Sequence, residues 1–294
     1  MTLFLEFLEE IFFHSFLDLL KLLPFLFLSY LLMEAIEHKA GERMQNSIRR
    51  AGKAGPLLGS LLGVVPQCGF SAAAAGLYAG RVISLGTLMA VYLSTSDEML
   101  PILIAEGAPV ATVLKILGIK FVLGMLYGFL IDLVLHLVRK SNGQDQHITD
   151  LCEVEGCHCE KGILRSALHH TLHIALFLYI VLAALAAVIF FVGEDRLSLV
   201  FSSLPVVGQL LSALIGLIPS CASSVLITKL FLDGVISAGC MLSGLLVGAG
   251  VGVLVLFRMN QSKKESFFIL LLLFALGSVT GMLADLFNLG AFLA

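Results

Sequence analysis

The chain has 294 residues, of which 59% are hydrophobic and 13% charged, with a mean hydropathy of +1.01 and a formal charge of −3. A soluble domain of this size could not carry that composition without large exposed apolar patches, so the sequence reads as an integral membrane protein. The slight acidic balance gives no support for nucleic-acid binding, and the apolar runs are too long and too uniform for the alternating segments of a β-barrel.

The N-terminus carries Glu6, Glu9 and Glu10 before any Lys or Arg, which is not the positive n-region of a cleavable signal peptide. Residues 1–14 read as an amphipathic helix on the membrane surface. The first crossing runs from Ser15 to Ile36, and a basic loop follows with Lys39, Arg43, Arg49, Arg50 and Lys53. Pro56 to Val65 and Phe70 to Ala79 are then two apolar stretches of half the roughly 20 residues that a spanning helix needs. Joined at Pro66 to Gly69, they predict a hairpin that enters and leaves on one side, a re-entrant backbone tolerated where it is buried or lines a cavity. Full crossings are expected from Val82 to Ile104 and from Thr112 to Val138.

Residues 139–166 form a polar linker, and residues 167–294 repeat the order of residues 15–138. Sliding the sequence by 153 aligns Gly63 with Gly216, Pro66 with Pro219, Cys68 with Cys221, Ser71 with Ser224, Ser84 with Ser237, Gly86 with Gly239, Gly124 with Gly277, Gly128 with Gly281 and Asp132 with Asp285. The chain is an internal duplication. Each repeat has an odd number of crossings, so the second must sit upside down relative to the first. Placing the Lys39 to Lys53 loop inside puts 13 loop Lys and Arg residues inside against one outside, with the linker cytoplasmic and both termini outside. The expected fold is an all-α integral membrane protein of two inverted-topology repeats, each with full crossings plus a broken-helix hairpin. That is the build of secondary transporters.

Inverted hairpins meet tip to tip near the midplane. This gathers Gln67, Cys68 and Ser71 from one repeat with Ser220, Cys221, Ser223 and Ser224 from the other. Pro and small polar residues could serve only to turn the chain and satisfy freed backbone groups, but a turn does not require the same thiol in both copies. The crossing after the first hairpin carries Thr95, Ser96, Asp97 and Glu98, with Asp97 about 22 Å along the helix, a little past the middle of a roughly 30 Å core. Their counterparts, Gly248 to Val251, carry no charge. Acids at that depth cost several kcal/mol unless paired, protonated or bound to a cation, and functional use is the first expectation. The alternative is that Glu98, with or without Asp97, already reaches the outer water. Carboxylates and hydroxyls suit Mn²⁺ and other hard divalent ions, whereas two thiolates favour Zn²⁺, Cd²⁺ or arsenite. Adjacent acids can also take up protons as the metal leaves. Asp132 and Asp285 read as structural groups capping a neighbouring helix, and Glu34 with His38 as a solvated helix end.

The linker carries His147, Cys152, Cys157, His158 and Cys159 among acids. That composition points to a flexible metal-collecting segment, or else to a variable acidic linker; the spacing fits no standard zinc finger. The six cysteines do not suggest a secreted disulfide framework.

The phrases Pro66-Gln67-Cys68-Gly69-Phe70-Ser71, Thr95-Ser96-Asp97-Glu98 and Ile218-Pro219-Ser220-Cys221, with a Cys/His linker between two five-segment halves, resemble the family of ten-helix heavy-metal exporters. Its members carry arsenic-efflux or manganese-transporter labels. The resemblance covers essentially the whole chain and implies export of a metal or metalloid ion across a bacterial cytoplasmic membrane.

The expected function is thus secondary transport, not catalysis, with no tightly bound cofactor and a divalent metal ion as substrate. Protons and the lipid bilayer are the other partners, and a homo-oligomer is compatible with the sequence. The alternative is a transporter of anions or small organic solutes, using the positive N-terminal ends of the returning hairpin helices. No Gly-x-x-x-x-Gly-Lys-Ser/Thr run supports ATP drive, and His-Glu-x-x-His is absent.

Overall fold

The computed structural model describes residues 54–66, 68–96, 99–142, 205–219 and 221–290, with isolated helical positions between 20 and 31 and between 168 and 180. The surface helix, the basic loop and the Cys/His linker fall outside the described residues. Within them the protein is all helical: α1 (Gly55–Val64), α2 (Cys68–Ala79), α3 (Leu85–Ser94), α4 (Met99–Ala105), α5 (Val110–Asn142), α6 (Pro205–Gly216), α7 (Cys221–Leu232), α8 (Ala238–Val247), α9 (Gly252–Met259) and α10 (Lys263–Leu286).

The period of 153 is visible in these bounds. Helices α2, α3, α4 and α5 begin at 68, 85, 99 and 110, and α7, α8, α9 and α10 at 221, 238, 252 and 263, each offset by 153. The local chemistry repeats as well. Ser84 caps the start of α3 by accepting the Thr87 N–H at 3.1 Å, and Ser237 caps the start of α8 by accepting the Cys240 N–H at 3.1 Å, each satisfying an amide that the helix leaves orphaned. Asp132 on α5 takes the Ser84 hydroxyl at 2.7 Å and the Gly86 N–H at 2.9 Å. Asp285 on α10 takes the Ser237 hydroxyl at 2.6 Å and the Gly239 N–H at 2.8 Å. The two aspartates thus cap a neighbouring helix, as their positions in the sequence suggest.

Within each repeat, α3 packs between α1 and α5, and α8 between α6 and α10. Between repeats the arms are exchanged: α9 lies on α2, α4 on α7, and α3 touches α8. Tyr127 hydrogen-bonds Thr280 at 2.8 Å, so a residue meets its own counterpart 153 positions away. Such self-pairing is expected where equivalent units meet across a two-fold axis.

Burial separates core from periphery. Every residue of α8 is buried, as is α3 from Gly86 to Ser94. By contrast Leu114, Val122, Leu126, Leu130, Leu133 and Leu137 form an exposed apolar stripe along α5, and Phe267, Phe268, Leu271 and Leu283 one along α10. Water would not tolerate such stripes and lipid does. Val110–Val138, Ala238–Met259 and Lys263–Leu286 are each long and apolar enough to cross a membrane, so the protein is a multi-pass membrane protein. The helices α1, α2, α6 and α7 have 10, 12, 12 and 12 residues, well short of a crossing.

The segment from Val82 to Ile104, expected to be one crossing helix, is divided into α3 and α4. The hydroxyls of Ser94 and Thr95 turn back to the carbonyls of Ala90 (2.6 Å) and Val91 (2.7 Å), and Pro101 has no N–H to continue the ladder. The second repeat breaks at the equivalent place by other means. Gly250 takes a positive φ of 55°, and the Ala249 N–H bonds the Val247 carbonyl at 2.8 Å instead of reaching back a full turn.

Candidate functional site

The break between α8 and α9 is where the starts of α2 and α7 arrive. α2 and α7 begin at Cys68 and Cys221, with no acidic residue in either first turn, so their positive ends are uncompensated by their own sequence. Ser71, in the first turn of α2, is completely buried and stands against Gly252, the first residue of α9. A Cβ at Gly252 would lie 2.8 Å from the Ser71 carbonyl, so only glycine permits this approach. The buried Tyr92 hydroxyl, from α3, donates to the Gly252 carbonyl at 2.9 Å. On the other side of the same break, the Ser224 hydroxyl of α7 lies 3.5 Å from where a Cβ on Gly248 would stand.

Thr95 enters through a residue that sequence reasoning missed. Lys120, on α5, is 1% exposed. Its ammonium donates to the Leu245 carbonyl at 2.8 Å and to the Thr95 carbonyl. Thr95 closes α3 and Leu245 lies in the last turn of α8, so one lysine joins the broken ends of the two repeats. Ser71, Ser224 and Thr95, far apart in sequence, are thereby gathered within a few residues of the α8/α9 break. The signal for Lys120 in the sequence is its place in the alignment of the repeats: its counterpart is Leu273, and it lies ten residues from the start of α5.

Ser223 goes differently. Its hydroxyl donates to the Ile218 carbonyl at 3.2 Å, inside the turn of its own hairpin, the turn-stabilising role that the sequence also allowed. Ser223 and Thr95 both donate their hydroxyl hydrogens to backbone carbonyls. Gln67, Asp97 and Glu98 lie outside the described residues, as do His147, Cys152, Cys157, His158 and Cys159. Cys68 and Cys221 are placed as the first residues of α2 and α7, at the tips. Among the described residues, no three His, Cys, Asp or Glu side chains are grouped to hold a metal ion.

A second polar region lies at one end of the bundle. Arg81, between α2 and α3, makes a two-pronged ion pair with Glu265 in the first turn of α10, both bonds at 2.7 Å. Tyr78 also donates to Glu265, and its ring lies 5.4 Å from the Arg81 guanidinium. The Glu265 carboxylate raises the Arg81 pKa above its ordinary value by hydrogen bonding. This ion pair borders a cavity of about 360 Å³ that Asp132 and His136 also line.

No curated protein and no solved structure matches the chain. One family model matches residues 9–208, more than half of the chain. The multi-pass helical architecture accords with it, and the chain belongs to that family, described as "Putative, 10TM heavy-metal exporter".

Proposed function

We propose that the protein is a secondary transporter that exports a transition-metal, heavy-metal or metalloid ion from the bacterial cytoplasm, in exchange for protons, through a site at the broken helices of two inverted repeats. The observation that carries this reading is the meeting of hairpin starts and helix breaks: Ser71 at Gly252, Ser224 beside Gly248, and the Thr95 and Leu245 carbonyls drawn to one ammonium. Broken helices around a midplane site are how transporters present backbone groups and helix ends to a substrate. Asp97 and Glu98 follow Thr95 directly. In this reading they bind the ion and carry protons back, Cys68 and Cys221 approach from the two tips, and the Cys/His linker collects metal in the cytoplasm.

The Arg81–Glu265 ion pair supports inversion. Arg81 precedes the broken crossing α3/α4, whereas Glu265 follows the broken crossing α8/α9. Parallel repeats would put those two loops on opposite sides of the membrane; inverted repeats put them on the same side. The lengths of the hairpin arms support re-entrant hairpins in the same way. A second reading, transport of an anion or small organic solute, is favoured by the acid-free first turns of α2 and α7.

The test is total cell content of Mn, Zn, Cd and As after separate challenges of a metal-sensitive bacterium expressing wild type, Asp97→Asn or Cys68→Ser/Cys221→Ser at equal membrane abundance. Export predicts that one element falls with wild type and that the variants lose this effect. Unchanged content of all four elements would overturn it, and loss of transport of an anion only with Ser71→Ala or Ser224→Ala would favour the second reading.

A further inference from the structure

Lys120 is a buried charge to which the exporter reading gives no part in binding the ion or carrying protons. Two of its acceptors have a common origin. The Leu245 carbonyl would ordinarily receive the Ala249 N–H, but that amide is turned to Val247. The Thr95 carbonyl closes α3, where the next helix starts only at Met99. Both oxygens are therefore end-of-helix carbonyls, which carry the negative end of the helix dipole. Two such ends aimed at one buried point make a site for a monovalent cation, with main-chain oxygens as ligands. A lysine fills it: the four-carbon stem crosses the apolar packing of α5, and the ammonium replaces an ion that would have to be taken from water. The position related by the repeat is Leu273, fully buried and apolar, so the second repeat supplies no such group.

We infer that the Lys120 ammonium is a tethered cation, filling from within the chain a carbonyl site at the ends of α3 and α8 that a free alkali-metal or small ammonium ion would otherwise occupy. The wild-type protein accordingly needs no monovalent co-ion to hold its two broken helices together. Removing the lysine creates that need. The inference does not depend on which ion is exported, because the site is read by stability rather than by flux.

The experiment uses the full-length chain purified in detergent, as wild type, Lys120→Ala and Lys120→Met. Thermal unfolding is followed at equal ionic strength in sodium, potassium, methylammonium, n-butylammonium or choline chloride. Wild type is expected to unfold at the same temperature in all five salts. Lys120→Ala is expected to unfold about 5–10 °C lower in choline, the cost of two orphaned carbonyls. It should regain at least half of that loss in one of the small cations, n-butylammonium being the closest copy of the missing side chain. An equal response of wild type, or a Lys120→Ala protein indifferent to all five salts, overturns the inference. Lys120→Met keeps the volume without the charge and decides the matter if Lys120→Ala does not accumulate. It should be destabilised in every salt, and wild-type stability of this variant would show that the carbonyls need no cation. A wild type that moves no metal in cells would sink the exporter reading and leave this result untouched.

Discussion

Asp132 and Asp285 show how much one side chain can organise when its partners are backbone. Each carboxylate accepts a serine hydroxyl and a glycine N–H at the start of the neighbouring helix, so it both caps that helix and fixes its approach. Asp132→Ala leaves those donors unpaired and is expected to lower stability by about 2 kcal/mol. Asp285→Ala should likewise lower stability, and it also releases the Gln209 amide. Asp132→Asn, which keeps one acceptor oxygen, should cost less than Asp132→Ala; thermal unfolding in detergent ranks all three, and an equal loss for Asn and Ala at 132 would deny the carboxylate its capping role. These aspartates were legible in the sequence because both repeats carry them. Lys120 was not, because one lysine in an apolar run looks the same whether it snorkels to an interface or is locked between two carbonyls, and only the tertiary fold brings Leu245 to it.

At the scale of elements, the close packing of α3 on α5 and of α8 on α10 depends on facing glycines. A Cβ at Gly128 would lie 2.7 Å from the Gly86 carbonyl, and one at Gly281 would lie 2.5 Å from the Gly239 carbonyl. Gly86→Ala would overlap both the Gly128 carbonyl and Asp132, and backbone cannot move aside as a flexible side chain can. The expected outcome is loss of monodisperse protein in detergent. Gly118 is on the same helix as Gly128 with open space around it, so Gly118→Ala should fold normally and gain up to about 1 kcal/mol from helix propensity; a comparable loss in both variants would contradict the crossing described. The short helices α1 and α2 could be read from run lengths, and the matching helix starts of the second half from the 153-residue period. The break at Thr95 could not, since hydropathy averages over Ser94 and Thr95, whose hydroxyls bond back to the preceding turn.

For the whole molecule, the exchange of arms between repeats and the pairing of Arg81 with Glu265 set the topology to be tested. In a background with the native cysteines replaced by serine, Glu106→Cys and Asp233→Cys should react with a membrane-impermeant thiol reagent on intact cells. Lys264→Cys should react only after the membrane is opened. Labelling of all three from one side would end the inverted arrangement. The ion pair itself is partly solvated, with side chains 22% and 28% exposed. A double-mutant cycle between Arg81→Ala and Glu265→Ala should give a coupling of about 1 kcal/mol that shrinks as salt rises. No coupling at low salt would mean that the two loops do not meet.

The hydrogen bond between Tyr127 and Thr280 has a consequence for how such a membrane protein can change. In a symmetric homodimer of half-length chains, a position on the axis faces a copy of itself, and every mutation is written twice. A tyrosine there would meet a tyrosine, and a lysine near the axis would bring a second ammonium toward the first. Covalent fusion of the halves removes that coupling. Position 127 can keep a phenol while position 280 supplies a small hydroxyl to receive it, and position 120 can hold a charge while position 273 remains leucine. One gene copy can then drift toward chemistry while the other preserves the packing, an asymmetry that a homodimer cannot encode.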